Sequence, residues 1–236
     1  MELIDQYTQF VNDISNNRNV KLNSSFTKEK LRLIDDDDIE LYISTIFEDS
    51  KITMTIKDAV YFKLSSVSIS WDSNLPEGGR ILSGGFKING ITDALCFTDN
   101  FWRGAASLPL GAEIPEHLQH YNKLNWFERS ADGTGGAYGC FIREPGKFPP
   151  PIAFYYRGWY KKLELSFEEY LTKMFESYAV SGWQFFHVDF PGDIKDFDLI
   201  LDNMKAATEI LPKIFPEKDW SFYLNKYNDT IAKFSK

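Results

Sequence analysis

An α+β fold is the class the sequence predicts, and three observations predict it. Residues 3 to 14 carry an amphipathic helical stripe, the middle of the chain carries segments with strand-type alternation, and helical periodicity returns after Ser166. The 236 residues suit a single core with extensions, and 43% hydrophobic and 16% aromatic content supplies the apolar area to offset chain ordering, which excludes wholesale disorder.

The first helix is read from Leu3, Ile4, Tyr7, Phe10, Val11 and Ile14, spaced by three and four residues. A polar loop through Asn16–Ser25 ends it. The run Asp35, Asp36, Asp37 and Asp38, followed by Ile39, Leu41, Tyr42, Ile43, Ile46 and Phe47, reads as a helix start, because carboxylates there accept free backbone N–H groups. Calcium loops interleave their ligands with other residues, so the run reads as a solvated terminus or a face for a basic partner. Residues 52 to 64 fit either a strand or, through Ile56, Ala59, Val60 and Leu64, a short helix. Val67, Ile69 and Trp71 alternate with Ser68 and Ser70 as a half-buried strand does. A strand pair is expected around Ile81–Ile91, and the segment from Thr98 to Pro115 is rich in loop residues, with Trp102 its exposed aromatic candidate.

Leu124–Glu128, Ala137–Arg143 and Ile152–Tyr156 read as three consecutive strands. GKFPPP, residues 146 to 151, connects the last two, since prolines without N–H donors cannot lie in a central strand. Ser166 with Glu169 three residues on makes a capping box for a helix whose apolar face is Phe167, Tyr170, Leu171, Met174 and Phe175. Beyond Gly182 the expectation is an extended stretch over Trp183–Val188, a helix over Phe197–Leu211 stopped by Pro212, and another over Glu217–Phe234 with Pro216 in its first turn.

The chemical constellations are thin. RSADGTGGAYGC, residues 129 to 140, holds Gly133, Gly135, Gly136 and Gly139 beside Asp132, but no Gly-Lys-Ser/Thr follows, and the next segment is strand-like, leaving no helix N-terminus for a phosphate. The run reads as a hairpin turn, or as a rim where a partner backbone approaches closely with Asp132 as acceptor. His117 and His120 lack the third ligand of a zinc site, and His187 stands apart. Cys96 and Cys140 read as buried thiols, and apolar surroundings make Cys140 a poor nucleophile. Glu164, Glu168 and Glu169 flank a capped helix, where surface carboxylates belong. A net charge of -8 and a pI near 5.0 argue against binding nucleic acid or anionic lipid, the aromatic and basic FYYRGWYKKL segment notwithstanding. The acidic N-terminal stretch differs from a signal peptide and no apolar run reaches membrane-spanning length, so a cytoplasmic location is expected.

Three pieces of the chain resemble the SUKH superfamily, which includes yeast cell-wall glucan-synthesis regulators and bacterial toxin-immunity proteins. DAVYFKLSSVSISW, Asp58–Trp71, is similar to the family's short helix, turn and strand ending in Trp. The strands flanking the glycine loop are a second likeness. LELSFEEYLTKMFESYAVSGWQFF, Leu163–Phe186, resembles the closing Ser-Phe-x-x-Tyr-Leu helix and its trailing Trp-Gln. The resemblance implies a mostly antiparallel twisted sheet with helices packed on it, spanning residues 28 to 188; outside it lie the N-terminal helix and linker (1 to 27) and a C-terminal helical extension (189 to 236) expected to pack on the core. It favours helix over strand for residues 56 to 64. It also implies a non-enzymatic protein-binding role without cofactor or metal, either as an immunity protein facing a basic toxin domain or as a regulatory scaffold in cell-wall or signalling pathways. The expected partner-binding residues are Asp35, Asp36, Asp37, Asp38, Trp71, Trp102, Asp132, Gly135 and Gly136. A carbohydrate or small-molecule site, as a binding protein or an enzyme, built on Trp71, Trp102, Asp132 and Glu113, is the competing expectation.

Overall fold

The computed structural model describes residues 3–24, 67–76, 79–89, 94, 123–131, 136–142, 144 and 149–234. Among these, Val20–Leu22 (β1), Val67–Ser73 (β2), Ser83–Ile88 (β3), Leu124–Ser130 (β4), Ala137–Ile142 (β5), Ile152–Tyr156 (β6) and Trp159–Leu163 (β7) form one open sheet in which each strand pairs antiparallel with its neighbour in sequence. Leu3–Asn16 (α1) precedes the sheet. Phe167–Glu176 (α2), a 3₁₀ turn at Trp183–Phe186, Phe197–Ile214 (α3) and Ser221–Phe234 (α4) follow it. The α+β expectation holds, with the helices packed on the sheet. No described helix is long and apolar enough to cross a membrane.

The helices cover one sheet face because that face is where the strands turn their large apolar residues. β2 alternates buried and half-buried positions without a break, placing Val67, Ile69 and Trp71 inward opposite Ile88, Phe86 and Gly84 of β3. Phe127, Phe141 and Phe154 continue the layer across β4 to β6. From the other side come Leu3, Tyr7, Phe10 and Ile14 of α1, and Tyr170, Leu171 and Met174 of α2. A smaller cluster of Leu124, Cys140 and Ala153, flanked by Trp126, Tyr138 and Tyr155, lies apart from this core.

Trp71 is the main tie between sheet and helices. Its ring is fully buried, its indole N–H donates to the Tyr178 carbonyl at 2.9 Å, and it meets Phe215 edge-on with centroids 6.4 Å apart. Gly84, directly across the ladder, makes room for it: a Cβ there would overlap the indole. Tyr178 in turn stacks flat on Phe215 at 3.6 Å, and its hydroxyl donates to Asp13 of α1 at 2.8 Å. Ile200, Met204, Leu211, Trp220 and Tyr223 belong to the same core. The C-terminal helices are therefore part of the folded body.

Several local expectations are corrected. The Asn16–Ser25 loop contains β1, whose pairing with β2 its polar sequence does not reveal. In the stretch expected to hold a strand pair, β3 is the strand described, and residues 90 and 91 lie outside the described residues. Trp159–Leu163 is a strand of its own, turned back at Arg157–Gly158. Trp183–Val188 is not extended: residues 183 to 186 form the 3₁₀ turn, all four buried. α3 runs past Pro212 to Ile214, because a proline in the last turn forfeits one hydrogen bond while burial of Ile214 and the Phe215 N–H to Leu211 bond hold the turn closed. α4 starts at Ser221, not Glu217, since the Trp220 indole N–H is held by the Phe215 carbonyl and Asp219 accepts from the Ser221 N–H.

Trp71→Ala is expected to lower unfolding free energy by about 3–5 kcal/mol in urea titrations, and deletion of residues 197 to 234 to abolish the cooperative transition of the remainder. A cooperative transition retained by the truncated chain would show that the C-terminal helices are dispensable to the core.

Candidate functional site

Of the residues singled out for partner binding, Trp71 and Gly136 are described, and Asp35, Asp36, Asp37, Asp38, Trp102, Asp132 and Gly135, with Glu113, lie outside the described residues. Trp71 offers no surface to a partner or a sugar. It is 0% exposed, and its role is the core tie. Gly136 sits at the end of the glycine loop with φ +66, a left-handed conformation that favours glycine. A Cβ there would stand 2.9 Å from Arg157 Cγ, and the Gly136 carbonyl accepts from the Arg157 N–H at 3.3 Å. Arg157 pairs with Asp196 at 2.6 Å just before α3. This end of the loop is thus fastened to the β6–β7 turn and to the start of α3.

The most unusual chemistry belongs to Glu128, which the sequence reading left inside a strand. A bulge at Trp126/Glu128 breaks the two-residue alternation of β4, so that Phe127 and Glu128, adjacent in sequence, are both buried toward the helices. One carboxylate oxygen, Oε2, accepts from the Tyr170 hydroxyl (2.9 Å), the Gln184 amide (3.0 Å) and the Gly139 N–H (3.2 Å). Gly139 is required there because a Cβ would overlap the Tyr170 hydroxyl. The node joins β4, β5, α2 and the 3₁₀ turn. Burial pushes the Glu128 carboxyl up to about 7, against the opposing pull of its three hydrogen bonds.

Two other groups are set by the same burial. Cys140 is fully buried and its thiol is pushed well above the ordinary range by desolvation and by Glu128, which makes it a packing residue and not a nucleophile. His187 leaves the 3₁₀ turn with its ring stacked on Phe222 (5.1 Å) and edge-on to Trp183 (5.7 Å). Burial, with Lys173 and Lys226 nearby, lowers its pKa to about 4. Glu169 is the capping-box residue of α2 that the sequence predicts. No group of His, Cys, Asp and Glu among the described residues has the clustering a metal ion needs.

On the outside, Arg80 of the β2–β3 connection pairs with Asp202 (3.6 Å) and donates to Asn203 (3.3 Å) of α3. Ile81, which follows Arg80 in the chain, is 66% exposed, and Leu199 on α3 is 51% exposed, with Asp198 and Asp202 on the same outward side of the helix. The periodicity of α3 marks these positions as outward, but nothing in the sequence brings Arg80 to them.

No protein-family model, curated protein or solved structure matches this chain.

Glu128 and His187 give opposite pH slopes. A carboxyl raised from 4.5 to about 7 stabilises the fold in its protonated form below 4.5, and loses roughly 3 kcal/mol of that stability as pH rises to 7. An imidazole lowered from 6.5 to about 4 contributes stability above 6.5 that is lost as pH falls toward 4. The two offset each other between about 4.5 and 6.5. Relative to the wild type, Glu128→Gln is expected to make stability climb with pH over that window, and His187→Phe to make it decline, in urea unfolding followed from pH 4 to 8. Parallel pH profiles for all three proteins would contradict the assignments.

Proposed function

We propose that the protein is a non-enzymatic protein-binding domain of the SUKH type, acting as an immunity protein that neutralises a toxin domain with a basic surface. The observation that carries the reading is the exposed Leu199 flanked by Asp198 and Asp202 on α3, with the exposed Ile81 next in chain to the Arg80 that binds Asp202, on a chain of net charge -8. Isolated exposed apolar residues are ordinary on any protein surface. Here Leu199 stands beside two carboxylates on the helix surface, the combination of apolar contact and charge steering that a basic partner would use. The resemblance adds support, because Tyr170 and Gln184, two residues of its helix and trailing Trp-Gln segment, are the side chains that close on Glu128. In this reading the buried polar residues build the scaffold and the outer surface does the recognition.

The test compares the tagged wild type with Ile81→Ser/Leu199→Ser in affinity purification from the native cells, with partners identified by mass spectrometry. The wild type is expected to recover a protein with a basic domain, the double variant to lose it by about tenfold or more, and association of the purified pair to slow several-fold between low and moderate salt. Equal recovery by both proteins would place the contact elsewhere, and a purified partner that acts as a substrate and leaves modified would replace the binding reading with an enzymatic one.

A further inference from the structure

The face of the sheet turned away from the helices carries an unbalanced pair of charges. Ladder pairing places Ser68 of β2, Lys87 of β3, Arg129 of β4 and Tyr138 of β5 directly opposite one another, in one row across four strands. At about 4.8 Å per strand the row is roughly 14 Å long. Each of its side chains can donate a hydrogen bond, and none is a carboxylate. Lys87 and Arg129 are neighbours in the row, and like charges directly opposite in a ladder destabilise it.

The chain holds 34 Asp and Glu residues, yet among the described residues neither cation lies within 4.0 Å of a carboxylate. Arg129 rests over the Trp126 ring, 5.3 Å from its centroid, and Trp126 meets Tyr138 edge-on at 6.3 Å. That contact holds the guanidinium half-buried beside Lys87, where solvent screens the pair less than on an open surface. Beyond Tyr138 the row continues to Tyr155 of β6, ring centroids 5.9 Å apart, and to Tyr160 of β7, 39% exposed.

The row selects its guest by charge. A cation is repelled, and a neutral molecule leaves the two cations opposed. A monocarboxylate cancels one of them. A phosphate monoester, at about −1.5 to −2 near neutral pH, cancels both and offers oxygens to the hydroxyls on either side. A polyanion such as nucleic acid would meet the field of the whole chain, net -8, whereas a small ester needs only the local one. The tyrosines farther along the row supply a surface for a planar ring.

We propose that this row binds a small phosphate monoester bearing a planar ring, of the nucleoside monophosphate class, its phosphate between Lys87 and Arg129 and its ring along Tyr138 and Tyr155. The site lies on the sheet face away from α3, so it neither uses nor depends on the surface assigned to the protein partner.

The experiment titrates the full chain with adenosine monophosphate, inorganic phosphate and adenosine at low salt, following the heat of binding by calorimetry and the tyrosine ring resonances by NMR. Adenosine monophosphate is expected to bind with a dissociation constant on the order of 1 mM, and each half-ligand at least about fivefold more weakly. Lys87→Gln should weaken adenosine monophosphate by about fivefold or more and leave adenosine unchanged. Because it removes one of two opposed cations, the same variant is expected to unfold at no lower urea concentration than the wild type, which separates a lost site from a lost fold. No binding of adenosine monophosphate up to about 20 mM, affinity no tighter than that of either half-ligand, or a folded Lys87→Gln protein that binds it as the wild type does would each overturn the proposal.

Discussion

The structure depends on a buried carboxyl that must find partners. Glu128 is 1% exposed, and leaving an ionisable group unpaired at that depth would cost several kcal/mol. Three donors from three different elements converge on one oxygen to meet that demand, and each imposes a condition on the fold. The bulge in β4 turns the residue inward. Gly139 lets the Tyr170 hydroxyl reach it, and the capping box at Ser166 fixes where α2 starts and therefore where Tyr170 lies. Gln184 draws the 3₁₀ turn against the sheet, which sets Trp183 against the Tyr170 ring (4.9 Å) and the His187 ring (5.7 Å).

The second constraint is aromatic. Trp71, Tyr178 and Phe215 transmit the sheet's position to α3 through one indole hydrogen bond and one parallel stack. Tyr178 holds φ +52 and Ala179 φ +49, and the chain then lies along β3, with the Gly85 N–H donating to Ala179 and the Ser181 N–H to Ser83. With both constraints met in the interior, Arg80 and Asp202 are left to pair on the outside.

Much of this architecture was legible because it rests on short-range periodicity. The α1 stripe, β2 alternation and the Ser166–Glu169 capping box each declare themselves within a dozen residues, and each is found as read. What was not legible depends on long-range contact. A bulge has no local signature in LNWFERS, so Glu128 read as an ordinary strand residue, while its side-chain partners lie 42 and 56 residues away. The 3₁₀ turn over WQFF carries aromatic residues that suit a strand equally well, and only burial on all sides decides it. Trp71 illustrates the reverse case: its identity invites a surface role, while the missing side chain of Gly84 across the ladder places it inside.

The most direct measurement of the account is the ionisation of Glu128 itself, read by NMR from the side-chain carboxyl carbon in protein labelled at glutamate and assigned by comparison with Glu128→Gln. The account predicts a midpoint near 7, separated from the surface glutamates, and a lower midpoint with destabilisation when Gly139→Ala displaces Tyr170 and admits water. A Glu128 that titrates with the surface group near 4.5 would contradict it, because the carboxyl would then be solvated and could not be what joins the sheet to its helices.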